Sequence, residues 1–159
     1  MLRWLERPSS AITGQSLLIL HISENSDTYI HRMETSVDFE SKMFRPFLPD
    51  EAQVNPGRYG AELAFWLSQQ LAQRGVPTSY PQFEDWGWFI EYITEDDYEY
   101  WLCCANRDGA QDKWRCYLEP KAKSLFGRNK APIEGARPLM RALRALLAEE
   151  SGISNVTWA

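Results

Sequence analysis

The sequence predicts an α+β fold, a two-layer sandwich with two helices on one face of a mostly antiparallel sheet of about five strands. Three observations lead there. Strand-like patterning fills residues 84–119 and is broken twice by stretches suited to hairpin turns, "TEDD" and "NRDG". Amphipathic helical stretches flank this meander on both sides, near 55–75 and 133–150. A short strand precedes the first helix and another follows the second, giving the order β-α-β-β-β-α-β.

Taken along the chain, residues 1–32 stand apart. "MLRWLERPSSAITGQ" and "SENSDTYIHR" are polar and turn-rich around one short apolar run, "SLLILHI". They read as a poorly structured extension, with Leu17–His21 as an added edge strand the alternative and Met33 a second candidate start. Residues 33–159 read as one α+β domain. Val37, Phe39, Phe44 and Phe47 predict a strand over 37–47. In "NPGRYGAELAFWLSQQLAQRG", Asn55 suits a helix cap and Pro56 the first helical position. Leu63, Trp66, Leu67 and Leu71 recur on one face, and Gly75 with Pro77 supplies the stop. Strands follow over 84–93, 98–105 and 113–119. The second helix buries Leu139, Leu143, Leu146 and Leu147, while Arg137, Arg141 and Arg144 lie on another face. Pro138 either begins its regular part or kinks it. Gly152 ends it, and "ISNVTWA" makes the final strand. The order resembles a ferredoxin-like layout with one extra strand, a likeness of topology that carries no function.

Turn positions set the hairpin registers. A centre near Asp96 places Ile90 opposite Leu102, Trp88 opposite Cys104 and Glu91 opposite Trp101. A centre near Gly109 places Leu102 opposite Cys116, Cys104 opposite Trp114 and Trp101 opposite Tyr117. One face then collects Trp86, Trp88, Ile90, Tyr92, Tyr100, Leu102, Cys104, Trp114, Cys116 and Leu118, and packs under the helices. The other interleaves aromatic and charged residues: Asp85, Phe89, Glu91, Trp101, Arg115 and Tyr117. This mixed face, with Glu84 and Asp85 at its rim, is the candidate partner surface.

Composition narrows the function. The chain of 159 residues is 44% hydrophobic and 13% aromatic, with seven tryptophans, as a packed globular protein requires. Its net charge of -5 disfavours a partner bound through phosphates, so nucleic acid is not the expected partner. The 16–22 run is too short to span a bilayer and carries no cleavage site, so no membrane partner is expected. Three cysteines, two of them adjacent, do not make an extracellular disulfide framework, and a cytoplasmic protein is expected.

Chemical motifs are sparse. Glu84 and Asp85 before Trp-Gly-Trp offer an acid–base pair for a small hydrolase-like enzyme, if partial burial raises Glu84. Neighbours on a strand point to opposite faces, so capping or partner contact is the favoured role. No metal is expected: His21 and His31 lie far along the chain from Cys103, Cys104 and Cys116, without C-x-x-C or H-E-x-x-H spacing. No cofactor is expected either, since "NPGRYG" and "LFGRNK" match neither phosphate-binding loop. An open aromatic sheet also suits RNA bases, but the acidic rim opposes that reading.

The combination "FRPFLPDEAQVNPGRYGAELAFWL", "EDWGW" and a closing "VTW" resembles small uncharacterised bacterial single-domain proteins, some with the look of toxin-immunity proteins. The likeness covers about residues 37–159. It implies a bacterial cytoplasmic module that binds a protein, a cationic toxin for instance, without catalysis; a homodimer is the other protein partner considered.

Overall fold

The computed structural model describes residues 33–53, 55–122 and 129–159. The expectations for residues 1–32, both histidines included, lie outside these residues, as does most of the "KAKSLFGRNK" segment. The strands are β1 (Ser36–Ser41), β2 (Gln82–Glu84), β3 (Gly87–Ile93), β4 (Glu99–Asn106), β5 (Lys113–Pro120) and β6 (Ile153–Trp158). The helices are α1 (Ala61–Gln73) and α2 (Arg137–Glu149), each preceded in the chain by one short 3-10 turn. The strands form one sheet in the order β2-β3-β4-β5-β1-β6, antiparallel at every step. The α+β sandwich is as the sequence predicts, with six strands where about five were expected. The ferredoxin-like comparison does not hold, because β1 lies outside β5 and no neighbouring pair is parallel.

Both helices cover the same side. Leu63, Leu67 and Leu71 of α1 join Leu139, Leu143, Leu146 and Leu147 of α2 over Val37, Phe39, Ile90, Tyr100, Leu102 and Trp114 in one core. Each such leucine contributes about 1.5–3 kcal/mol through burial. Pro138 sits in the first turn of α2, so it begins the helix without kinking it. At the end of α1, Gly75 turns left-handed at φ 75°, while its N–H reaches Ala72 O and the Val76 N–H reaches Leu71 O. That is a Schellman stop, with Val76 buried beside the helix it closes.

Four expectations need correction. The first strand ends at Ser41, whose Oγ accepts the Met43 N–H at 3.2 Å and turns the chain. Phe44 then packs edge-on against Trp114, whereas Phe47 is 88% exposed. Helix α1 starts at Ala61, not at Pro56. Asn55 and Pro56 instead form a turn closed by the Arg58 N–H on Asn55 O at 3.0 Å. Gly60 has a φ of 151°, and a Cβ there would meet Cys104 O at 2.4 Å. The helix therefore begins only after the chain has passed tightly over β4. Buried Asn106 fixes that passage: its Oδ1 accepts the Tyr59 N–H at 2.9 Å, and its Nδ2 donates to Gly57 O and Ala110 O.

Residues 84–93 are likewise not one strand. Asp85 and Trp86 form a two-residue turn joining β2 to β3, with Glu84 opposite Gly87 and Phe83 opposite Trp88. Glycine is favoured at the fourth position of such a turn, and Gly87 has a φ of 152°. The β3–β4 register matches the expected one, Trp88 on Cys104 and Glu91 on Trp101. Between β4 and β5 the expected register is two residues off: Leu102 faces Leu118, Cys104 faces Cys116 and Trp101 faces Glu119. The loop centres on Ala110, whose N–H bonds Arg107 O at 2.8 Å after left-handed Asp108 and Gly109. A slip of two keeps every side chain on its expected face.

Candidate binding face

Among the described residues, the face opposite α1 and α2 is free of helices and carries a second aromatic cluster. Phe89 of β3 is fully buried within it, only 2% exposed, and stacks on Trp101 of β4 with ring centroids 3.9 Å apart and planes 17° apart. On Trp101 the Lys121 ammonium lies 3.4 Å from the ring centroid. Since Phe89 occupies one side of the indole, the cation occupies the other. The Trp101 Nε1–H donates to Glu99 Oε1 at 2.7 Å, which fixes the rotation of the ring. Trp101 is thus held at both faces and at its polar edge.

Trp86 completes the cluster. As a turn residue it leaves the strand alternation and crosses to the helix-free side, 6.0 Å from Phe89 and 6.1 Å from Tyr117 between ring centroids. The expectation that Trp86 packs under the helices is therefore wrong. Trp86, Trp101 and Tyr117 are each half-buried, so they expose ring edges above a closed layer of Phe89 and Cys103. Cys103 and Tyr117 are directly opposite each other on β4 and β5. Burial raises both groups, the thiol to about 12, so neither is a ready nucleophile.

The candidate residues divide into two places. Phe89, Glu91, Trp101, Arg115 and Tyr117 share the helix-free face, as expected from the sequence. Glu91 stands half-exposed opposite Trp101, its N–H donated to Ser79 Oγ. Arg115 is engaged within the fold: its Nε and terminal nitrogen donate to the two oxygens of Asp38 on β1 at 2.6 and 2.8 Å. Arg107 joins at 2.7 Å. The bonds from Arg115 hold the Asp38 carboxyl below its ordinary range despite partial burial. Glu84 and Asp85 lie at the hairpin tip, both exposed, so Glu84 lacks the burial that an acid–base role needs. The Asp85 carbonyl accepts a bond from the Asn55 amide, which ties the tip to the loop before α1.

Sequence reasoning missed Asp38, Lys121 and the position of Trp86. The last was signalled by glycine three residues after Glu84, a turn pattern masked by the aromatic run that follows it. Among the described residues no group of three His, Cys, Asp or Glu side chains is placed to hold a metal ion. None of their helices is long and apolar enough to cross a membrane. No protein family, curated protein or solved structure matches this chain.

Proposed function

We propose that this chain is a non-enzymatic protein-binding module whose partner docks on the rings of Trp86, Trp101 and Tyr117. The observation that carries the reading is their assembly: three half-exposed aromatic rings, supported from below by Phe89, on the face that no helix among the described residues covers. Rigid aromatic groups lose little entropy on binding, and such residues at an interface centre commonly contribute about 2 kcal/mol or more each. A cationic partner is favoured. Trp101 already carries an ammonium on its ring, and Glu91, Glu99 and Glu119 surround it. A partner arginine would take the place of Lys121 there. The likeness to bacterial immunity-type proteins makes a cationic toxin met in the cytoplasm the specific form of this proposal.

The test captures a basic protein with the parent in a pull-down and measures its binding by calorimetry for the parent and for Trp86→Ala. Trp86 lies on a turn outside the main core, so its removal spares the fold. At least a tenfold loss of affinity with an unchanged melting temperature is expected. Equal affinity of parent and variant would remove the proposed face from the interaction.

A further inference from the structure

The helix-side face carries a pair of thiols that the binding proposal does not use. Cys104 on β4 and Cys116 on β5 are directly opposite each other, and both are fully buried and free. The kind of pair follows from the ladder's ends. The Arg107 N–H bonds Lys113 O at 2.8 Å, and the Lys121 N–H bonds Glu99 O at 2.9 Å. Hydrogen-bonded pairs in an antiparallel ladder alternate, so they fall at Arg107/Lys113, Ala105/Arg115, Cys103/Tyr117, Trp101/Glu119 and Glu99/Lys121. Cys104 and Cys116 therefore occupy a narrow pair, where Cα atoms approach to about 4.5 Å and side chains lie closest. That separation is within the range a disulfide spans, about 4.4–6.8 Å. Cys103 points to the opposite face, with Tyr117 as its partner.

We propose that Cys104 and Cys116 are a dithiol modification site that closes into a cross-strand disulfide without a change of fold. The oxidant is a low-molecular-weight disulfide such as oxidised glutathione. The thiolate of one cysteine attacks a glutathione sulfur, breaking its S–S bond and releasing one glutathione thiolate. The other cysteine, as thiolate, then attacks the protein sulfur of the mixed disulfide and releases the second. The balance is one protein dithiol and one glutathione disulfide giving one protein disulfide and two glutathione thiols. In the closed fold neither thiol meets solvent, and the neighbouring Cys116 together with the loss of water raises Cys104. Exchange runs through opened or folding molecules, and the native register then brings the pair together. The bridge would staple the two strands that carry Trp101 and Tyr117.

The test is refolding of the reduced chain from urea in a buffer rich in oxidised glutathione, followed by thiol counting in denaturant and peptide mapping. Loss of two of the three thiols is expected, with one crosslinked peptide joining residues 104 and 116. Cys103→Ala should form the same bridge, and Cys116→Ala should form none. Dithiothreitol should restore all three thiols to the parent with its circular dichroism unchanged. A native refolded chain that keeps three thiols or carries only glutathione adducts would overturn the proposal. So would a bridge through Cys103, or a bridged chain that is no longer native.

Discussion

At the scale of single residues, Asp38 ties the sheet together and makes its stability depend on pH. It accepts bonds from Arg115 on β5 and from Arg107 in the loop between β4 and β5, and these hold its carboxyl below the ordinary aspartate range. A carboxyl depressed in the folded state stabilises the fold above its unfolded value, and the gain fades as pH falls through the folded one. The parent should exceed Asp38→Asn in stability at neutral pH, with the gap closing in acid, as urea melts across that range would record. A gap independent of pH would exclude the ion pairs as its source. Gly60 sets a second residue-scale constraint. Gly60→Ala forces a Cβ against the Cys104 carbonyl at a strained φ, and should cost about 3 kcal/mol or more in denaturant melts. The aromatic face was legible through Phe89, Trp101 and Tyr117, because strand alternation alone assigns them one side. What alternation does not report is the diagonal stacking of Phe89 on Trp101, or the cation on the outer ring face.

At the scale of elements, the strong signals were periodic and the errors were all at turns. The leucine stripes of α1 and α2 and the β3–β4 register were readable because each residue faces one invariant environment. The start of α1 was not, since Asn55-Pro56 is a good local cap and only the tight passage of Gly60 over β4 rules it out. The β2–β3 hairpin was missed for a related reason: Trp86 and Trp88 look alternate, yet one lies on a turn and the other on a strand. Gly87 makes that hairpin possible. Gly87→Ala has ordinary space for its methyl group but an unfavourable φ, so a loss of about 1–3 kcal/mol is expected. Amide exchange should accelerate at Gln82 and Phe89, a hydrogen-bonded pair of the hairpin, while Ile90 and Leu102 on the inner strands keep their protection. Uniform acceleration across β4 would mean that the hairpin is integral to the sheet's folding unit.

For the whole molecule, two layers imply two different faces. The helices cover one side of the sheet with a continuous apolar core, and the far side of the described fold carries the compact aromatic cluster between charged residues. The overall α+β class followed from element order, but strand order did not, because the crossover through α1 passes over three strands, and the one through α2 over one, before the chain re-enters the sheet. The central claim, that the aromatic cluster is the docking face, is tested most directly by covalent footprinting of aromatic side chains in the purified chain and in its partner-bound form. The account predicts reduced labelling of Trp86, Trp101 and Tyr117 on binding, with Phe47 and Tyr80, which are exposed elsewhere, labelled as before. Unchanged labelling of the three cluster rings, with protection at Phe47 or Tyr80, would contradict it.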